Sequence, residues 1–139
     1  MTKNSPITEL MTAEPTTIER SQPISEAYHI LRHAKFHHLI VMEGDEVVGM
    51  LATSDILRLA YDADGSTERG LATYLDHQFN IDDAMTGDLH TLPVTAKAHD
   101  AAKLFAEGGF HSIVVLEAND QLAGIVTTTD LARFVVDLL

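Results

Sequence analysis

The sequence contains one pattern twice, with the two copies 74 or 75 residues apart. Residues 7–12 (ITELMT) match residues 81–86 (IDDAMT), and residues 49–58 (GMLATSDILR) match residues 124–133 (GIVTTTDLAR). The offset changes by one residue inside a polar turn, where an insertion costs little free energy. A repeat of this size indicates two copies of one supersecondary unit, each of which needs the other to complete its core.

Length and composition exclude several classes of protein. The 139 residues fit one domain, or two half-domains that share a core. The sequence has no cysteine, which excludes a disulfide framework, a thiolate zinc site and a cysteine nucleophile. The aliphatic runs 39–42 and 113–116 are far too short to span a bilayer, and no apolar run follows the N-terminus. We therefore expect a cytoplasmic protein.

The charge balance is strongly acidic. Nine Lys and Arg residues face 21 Asp and Glu residues, which gives a formal net charge of -12. Nucleic acid and anionic membrane both require basic residues for binding, so neither is expected as a partner. The ordinary consequence of such a charge is solubility.

Hydrophobic periodicity predicts the order β-α-β-β-α in each copy. Apolar residues at helical spacing begin at Ala27 and at Ala101, and Gly108 and Gly109 are expected to end the second of these helices. The predicted strands are 16–18, 39–42 and 47–51 in the first copy, and 90–92, 113–116 and 122–126 in the second. A closing helix follows in each copy.

The predicted domain organisation follows from the repeat. The sequence divides into a first repeat (5–60), a linker with a short helix (61–78) and a second repeat (79–139). A structureless linker of this length is unusual in a compact domain, and Leu71, Leu75 and Phe79 supply an apolar face for the helix.

The turn from the last strand into the closing helix is where chemistry is most concentrated. In the second copy Thr127, Thr128 and Asp130 lie at the start of this helix, with Arg133 one turn later. Unpaired backbone N–H groups favour an anion there, and a carboxylate can accept hydrogen bonds from two vicinal hydroxyls. The alternative is purely structural: the threonines cap the helix, Asp130 complements its dipole, and Arg133 pairs with Asp130.

The two I-x-x-x-M-T segments, together with one G-h-h-[ST]-x-x-D segment (h, apolar) in the second copy and its counterpart in the first copy, which departs at Ala52, resemble the cystathionine-β-synthase (CBS) domain. A tandem pair is called a Bateman module. The resemblance implies an α+β fold of two β-α-β-β-α repeats packed through their sheets about a pseudo-two-fold axis. It also implies adenosyl ligands (AMP, ADP, ATP or S-adenosylmethionine) bound in the cleft between the repeats, and regulation of an attached or partner protein without catalysis.

The resemblance also implies ligand-binding residues. Asp130 and Asp55 match the ribose-binding aspartate, and Thr127 matches the hydroxyl position, where the first copy has Ala52. Thr53 or Ser54 could replace the missing hydroxyl. Thr128, Arg133 and Arg58 are also expected near the ligand. The base is expected near the opening and central strands, where backbone groups contact it and aliphatic side chains enclose it, at Thr17, Ile18, His38 and Leu39, and at Thr91, Leu92, Ser112 and Ile113.

The histidines suggest a second kind of site. His29 and His33 are four residues apart on a predicted helix, which allows a surface metal site, but two imidazoles make an incomplete coordination shell. Solvated histidines are the favoured interpretation, and no metal is predicted. His37 and His111 are equivalent in the repeat and are expected where strands begin.

The sequence thus predicts a stand-alone CBS-pair sensor that is not an enzyme. It requires no cofactor, takes an adenosyl nucleotide as a regulatory ligand, forms a homodimer and signals to an unknown protein. The acidic balance favours AMP, S-adenosylmethionine or a Mg²⁺-neutralised nucleotide over free ATP. Because Ala52 lacks the expected hydroxyl, a ligand-free dimerisation module is the alternative. Parallel and antiparallel dimers both remain open, and a hydrolase or transferase is a remote third hypothesis.

Overall fold

The computed structural model describes residues 2, 4–33, 38–61 and 67–139. It contains strands β1 (Thr12–Ala13), β2 (Thr17–Glu19), β3 (His38–Glu43), β4 (Glu46–Ala52), β5 (Thr91–Pro93), β6 (Ser112–Leu116) and β7 (Leu122–Thr127). The helices are α1 (Ile24–His33), α2 (Thr53–Ala60), α3 (Glu68–Gln78), α4 (Ile81–Ala84), α5 (Ala98–Ala106) and α6 (Thr128–Leu138), and a 3₁₀ turn covers Ile7–Glu9. The predicted α+β class is confirmed.

The chain forms two compact units, Thr16–Asp88 and Met1–Pro15 with Leu89–Leu139. The first unit has a sheet of order β2-β3-β4, in which β2 is parallel and β4 antiparallel to β3. The second unit has a sheet of order β1-β7-β6-β5, in which β5 is parallel and β7 antiparallel to β6. Each strand of the two central hairpins is one or two residues longer than its apolar pattern predicts. The added end residues also pair across the ladder, as His38 does with Ala52 and Ser112 with Thr127.

The opening segment of each repeat joins the sheet of the other repeat. Thr12 pairs with Ile125 in β7, and Thr86 exchanges two backbone hydrogen bonds with Met50 in β4, at N···O distances of 3.0 and 2.9 Å. Ile7 and Ile81 are both fully buried in the cores of these units. The bounds of the two packed units therefore differ from the bounds of the two sequence repeats.

Each unit buries a cluster of aliphatic residues between its sheet and its helices. In the unit Thr16–Asp88 the cluster includes Ile18, Leu39 and Leu51 from the sheet and Ile24, Ala27, Leu31 and Ile56 from the helices. In the other unit Ile113, Val115 and Val126 pack against Ala98, Ala101 and Phe134. Alternation along the strands places these side chains on one face of each sheet.

Helix α3 lies where the linker was expected to contain a short helix. Leu75 on this helix is fully buried. The Asp76 carboxylate accepts hydrogen bonds from the Ser25 N–H (2.9 Å) and the Ser25 hydroxyl (2.6 Å), at the start of α1. An acidic side chain from one helix therefore caps another, which fixes α3 against α1.

The predicted end of α5 is also found. The helix ends at Ala106, and Gly108 and Gly109 follow with φ of 81° and 93°. Glycine adopts this left-handed conformation without steric cost, so it ends a helix sharply. The corresponding end of α1, at Lys35, lies outside the described residues, and so do Phe36 and His37.

Arg20 attaches helix α4 to the end of strand β3. Its Nε and Nη2 atoms donate to the two Asp82 carboxylate oxygens (2.8 and 3.3 Å), and Nη1 donates to Glu43 (3.1 Å). The hydrogen bond to Asp82 and its negative charge, followed by those of Glu43, raise the pKa of Arg20 above its ordinary value.

No helix in the described part of the chain is both long enough and apolar enough to cross a membrane.

Candidate functional site

The residues predicted from the sequence converge at one end of each sheet. In the second repeat, the ladder pairs Ser112 at the start of β6 with Thr127 at the end of β7, and the parallel strand β5 begins with Thr91 at the same end. The Thr128 N–H also donates to the His111 carbonyl (3.0 Å). In the first repeat His38 pairs with Ala52 in the same way. Residues far apart in sequence are thus neighbours, because in an antiparallel pair the start of one strand lies beside the end of the other.

A reciprocal capping box forms the turn into α6. The Thr127 N–H donates to Asp130 Oδ2 (2.9 Å), and the Asp130 N–H donates to the Thr127 hydroxyl (3.2 Å). Thr127 has extended backbone angles and precedes the first helical residue, Thr128. This arrangement satisfies two backbone groups at the helix start and fixes the orientation of the carboxylate.

The Asp130 carboxylate is held in place but keeps acceptor capacity. Its side chain is 10% exposed, and Oδ1 lies 3.6 Å from Nη1 of Arg133, whose side chain is 76% exposed. An ionised carboxylate offers about four lone-pair sites, so one backbone hydrogen bond and one loose ion pair leave Oδ1 able to accept further donors. Asp130 therefore has the structural role that the sequence analysis gave as the alternative. Its carboxylate can still accept further hydrogen bonds.

The first repeat reproduces only half of this cap. The Ala52 N–H donates to Asp55 Oδ2 (2.8 Å), and Arg58 Nη2 lies 3.6 Å from Asp55 Oδ1, as in the second repeat. Ala52 has no side-chain oxygen, so the return bond from the Asp55 N–H is missing. The departure that the sequence shows at Ala52 is thus a structural difference at the helix start.

Thr53 does not replace the missing hydroxyl in this cap. Its Oγ1 atom is buried and has no hydrogen-bond partner among the described residues. A buried hydroxyl without a partner costs about 1–3 kcal/mol of stability. The first-repeat turn therefore contains an unsatisfied polar atom beside Asp55, whereas the equivalent Thr128 is exposed to solvent.

Strands β2 and β5 each present the backbone groups of alternate residues at the free edge of the sheet. The His90 carbonyl accepts from the Val114 N–H, and the Val94 N–H donates to the Leu116 carbonyl, so alternate residues of β5 face β6. The N–H and carbonyl of Thr91 must then face away from β6. The bonds of Thr16 and Arg20 to β3 give Thr17 the same orientation. Among the described strands, none pairs with these outer edges.

Most of the aliphatic residues predicted to enclose a base lie in the cores. Ile18 (2% exposed), Leu39 (0%) and Ile113 (0%) belong to the buried clusters, and Leu92 packs against one of them. Their side chains are already covered by helix residues, which leaves their backbone groups as the part available at the strand ends. His38 and Ser112, at the starts of β3 and β6, are half-buried.

The profile of the CBS domain matches residues 7–62 and 81–137 of this chain. The chain belongs to the CBS domain family. The two matched ranges correspond to the two copies of the repeat, so the resemblance drawn from the sequence motifs is confirmed.

Solved CBS structures share the fold over nearly the whole chain. A structure of CBSX2 in complex with AMP is 22% identical, covers 96% of this chain and 98% of that chain, and has a TM-score of 0.77. The CBS domain pair of protein MJ0100, in complex with 5-methylthioadenosine and S-adenosyl-L-methionine, is 19% identical, with coverage of 97% and 98% and a TM-score of 0.78. The CBS domain of a bacterial CNNM/CorC family Mg²⁺ transporter, in complex with ATP, is 20% identical, with coverage of 96% and 89% and a TM-score of 0.79. At these identities the likeness shows the fold.

Two curated relatives that match this chain are named as uncharacterised proteins. The chain is 23% identical to a 17.7 kDa protein of Acidianus ambivalens, with 95% of this chain and 74% of that protein aligned. It is 26% identical to a protein of Methanocaldococcus jannaschii, with 98% of this chain aligned to 33% of the relative. The chain thus spans about a third of the length of the second relative.

An aromatic stack in the second CBS repeat was not predicted from the sequence. The His90 and Phe110 rings are parallel within 11°, with centroids 3.6 Å apart, and Phe105 contacts Phe110 at 5.6 Å. His90 immediately precedes Thr91. The sequence does place an aromatic residue shortly before β5 and another shortly before β6. This pattern predicts a ring contact only when β5 and β6 are known to be parallel neighbours.

The described histidines outside this stack do not assemble a metal site. The His29 and His33 rings touch edge to face with centroids 5.0 Å apart, and within the described ranges no group of three or more His, Cys, Asp or Glu residues could hold a metal ion. His29 also borders an open groove of about 450 Å³ between α1 and α3, which Tyr28, Thr67, Arg69 and Ala72 line as well. His37 lies outside the described residues, and His111 is exposed just before β6.

Proposed function

We propose that this CBS pair is a regulatory module that binds an adenosyl ligand at the strand-to-helix turn of its second repeat. The observation that carries the proposal is the Asp130 carboxylate, which is 10% exposed, held by the Thr127 N–H, and has Oδ1 available beside Arg133. A fixed carboxylate can accept hydrogen bonds from both hydroxyls of a ribose, and binding then carries no entropy cost for ordering the carboxylate. The complexes of other CBS structures with AMP, S-adenosylmethionine and ATP support this ligand class.

Each part of the ligand has a partner of matching chemistry in the second repeat. Asp130 accepts the sugar hydroxyls, while Arg133 and the exposed Thr128 are placed to contact a phosphate or carboxylate group. The outward N–H and carbonyl of Thr91 offer one donor and one acceptor to the edge of a base, and Ser112 borders the same position. Leu92 and Ile113 contribute backbone groups only, because their side chains pack in the core.

The first repeat forms the weaker site of the two. Asp55 and Arg58 repeat the positions of Asp130 and Arg133, and Thr17, Ile18, His38 and Leu39 take the positions of the base-contacting residues. Ala52 leaves the turn without the hydroxyl bond that holds its counterpart. Among the described residues, Thr53 supplies a buried hydroxyl near this turn that has no hydrogen-bond partner. A less rigid carboxylate loses more entropy on binding, so the affinity is lower.

The module acts by linkage and has no catalytic role in this proposal. A ligand that binds one conformation of the CBS pair more tightly than another shifts the equilibrium toward that conformation, and a partner protein senses the change. The net charge of -12 disfavours a bare polyphosphate, so AMP, S-adenosylmethionine or a Mg²⁺-bound nucleotide fits better than free ATP. The proposed compartment is the cytoplasm.

The partner is a second copy of the chain, in addition to the unidentified regulated protein. The closing helices expose apolar residues at equivalent positions of the repeat: Tyr61, at the end of α2, is 86% exposed and Val136 on α6 is 71% exposed. Leu57 (60%) and Leu139 (100%) are exposed too. Sedimentation analysis should show a dimer that Val136→Asp weakens. A wild-type chain that stays monomeric at high concentration would contradict this part of the proposal.

A ligand-free interaction module is the alternative, and two observations favour it. Ala52 removes a hydroxyl from the first repeat, and the Thr127–Asp130 capping box is a sufficient structural reason for both residues in the second. In that case the repeats would supply only a surface for dimerisation.

Thermal unfolding with AMP, ADP, Mg²⁺-ATP and S-adenosylmethionine separates the two candidates. A ligand at a hundred times its Kd stabilises the folded state by about 2.7 kcal/mol, which is a readily measured shift. No shift with any of the four compounds would leave the interaction module as the better candidate.

Calorimetric titration of Asp130→Ala then tests the site, with Asp100→Ala as the matched control. Asp100 caps α5 in the same way, since its Oδ2 accepts from the Lys97 N–H at 2.9 Å. Both variants lose a cap, but only Asp130→Ala should weaken ligand binding, by about 30- to 100-fold, the equivalent of about 2–3 kcal/mol for charge-assisted hydrogen bonds. Equal affinities of the two variants would overturn the assignment of Asp130.

A further inference from the structure

An open groove lies between α1 and α3 in the unit Thr16–Asp88. Its volume of about 450 Å³ is in the range of small-molecule sites. The residues that line it are Tyr28 and His29 from α1, and Thr67, Arg69 and Ala72 from α3. None of them belongs to a strand-to-helix turn, so this groove is separate from the site proposed above.

The two walls of the groove are held in fixed positions. The Asp76 carboxylate of α3 accepts two hydrogen bonds from Ser25 of α1, and Leu75 is fully buried in the same unit. Tyr28 is half-buried and packs against the cluster that contains Leu75. A ligand that enters the groove therefore does not have to order these helices, which favours binding.

The polar groups that line the groove match an anion. Among the described residues, no carboxylate forms an ion pair with Arg69, whereas three other arginines of this chain each have such a partner. The Thr67 hydroxyl accepts from the Gly70 N–H (3.0 Å) and keeps its own proton to donate. The described lining contains no Asp or Glu, although the chain has 21 acidic residues and 9 basic ones. The groove therefore offers mainly donors and positive charge.

The rest of the lining is apolar and partly aromatic. The Tyr28 ring supplies an aromatic surface, and the guanidinium carbon of Arg32 lies 6.0 Å from its centroid. Ala72 is half-buried and carries only a methyl group, which leaves room between the helices. A flat ring packs well against a tyrosine in an offset or edge-to-face arrangement. A ligand with an aromatic body and a negative group therefore fits both kinds of lining.

We infer that the α1–α3 groove binds a small aromatic carboxylate, with its carboxylate on Arg69 and its ring between Tyr28 and Ala72. A guanidinium binds a carboxylate through two parallel N–H···O hydrogen bonds, which fixes the orientation of the ligand as well as its position. The inference goes beyond the proposed function and does not depend on it. It gives the chain a second ligand of a different chemical class from an adenosyl compound.

The test is calorimetric titration of the whole chain with benzoate, phenylacetate and naphthoate, each beside its neutral amide. Arg69→Gln should weaken binding of the carboxylate by about three- to tenfold, between the effects of an exposed ion pair and of a charge-assisted hydrogen bond, and should leave the amide unaffected. Ala72→Leu should weaken binding of both compounds, because the larger side chain fills the groove. Lys103→Gln removes the same charge from the exposed face of α5 and should change nothing.

Titration of AMP into the same variants separates this inference from the proposed function. Its affinity should be unchanged in Arg69→Gln and Ala72→Leu. Equal carboxylate affinities in Arg69→Gln and Lys103→Gln, or equal affinities of the wild type for each carboxylate and its amide, would overturn the inference. A wild-type chain that binds none of the carboxylates at millimolar concentration would overturn it too, and binding of AMP would then still support the adenosyl site. Carboxylate binding without any adenosyl binding would overturn the proposed function alone.

Discussion

Gly124 in strand β7 lies directly against Met11 of the opening segment. A Cβ atom at Gly124 would be 2.6 Å from the Thr12 carbonyl oxygen and 2.8 Å from Met11 Sδ. The first repeat has the same contact, because a Cβ at Gly49 would be 2.5 Å from Met85 Sδ and 3.1 Å from the Thr86 carbonyl oxygen. The glycine of one repeated motif is therefore required by the methionine and threonine of the other. This explains why the two motifs occur together.

Gly124→Ala should lower the free energy of unfolding by about 1–3 kcal/mol, because the new methyl group overlaps a backbone oxygen in a packed ladder. Gly49→Ala should cost less, since its closest neighbour is the flexible end of a methionine side chain. Urea denaturation measures both. Gly87→Ala is the control, with its nearest atom 3.9 Å away. A Gly124→Ala variant as stable as Gly87→Ala would show that β1 does not lie against β7.

Ala52→Thr should stabilise the chain by about 0.5–2 kcal/mol, the usual effect of a helix N-cap hydroxyl. The backbone at Ala52 (φ -113°, ψ 159°) already matches that at Thr127 (φ -109°, ψ 166°), so the new hydroxyl can accept from the Asp55 N–H without rearrangement. The reverse change, Thr127→Ala, should lose a similar amount in urea denaturation. If the first repeat is a weakened ligand site, Ala52→Thr should also strengthen its binding of AMP. A destabilised Ala52→Thr chain would contradict the equivalence of the two turns.

Thr53→Val should raise the free energy of unfolding by about 1 kcal/mol, because it removes a buried hydroxyl without a partner and keeps the shape of the side chain. Thr128→Val, at the exposed equivalent position, should change stability by less than about 0.5 kcal/mol. Equilibrium unfolding in urea compares the two variants. A loss of stability in Thr53→Val would mean that the hydroxyl has a partner in solution, such as a bound water molecule.

Asp76→Asn should destabilise the chain by about 1–2 kcal/mol, since the carboxylate accepts two hydrogen bonds from Ser25 at the start of α1. Amide hydrogen exchange should accelerate most in the first turn of α1 and in α3. Asp88→Asn removes the same charge from an exposed loop and should leave exchange in these helices unchanged. Equal exchange rates in the two variants would show that α3 is fixed against α1 by Leu75 and its apolar neighbours alone.

Much of the fold could be predicted from short-range patterns. The spacing of apolar residues from Ala101 indicated α5, Gly108 indicated its end, and the aliphatic run at Ile113 indicated β6. The cap at Thr127 and Asp130 was also accessible, because the two residues are three apart and such pairs form the same hydrogen bonds in any helix start. Predicted end points differed by a residue or two where polar residues continued a ladder.

The stack of His90 on Phe110 and the positions of the aliphatic side chains could not be predicted from short-range patterns. His90 and Phe110 are twenty residues apart, and their contact exists because β5 and β6 are parallel neighbours. Ile18 and Ile113 were expected to enclose a base, but the same apolar character directs their side chains to the helix-covered face. Local patterns do not say which of two faces a helix covers.

The sequence by itself determined the duplication, the α+β class, the family and the two turns with Asp55 and Asp130, because these depend on residues close together in the chain. The tertiary structure decided which sheet each opening segment joins, with Thr12 on β7 and Thr86 on β4. Backbone hydrogen bonds between strands are alike for every residue type, so pairing over such a distance is selected by packing. Here the selection is made where Gly124 and Gly49 leave room for Met11 and Met85.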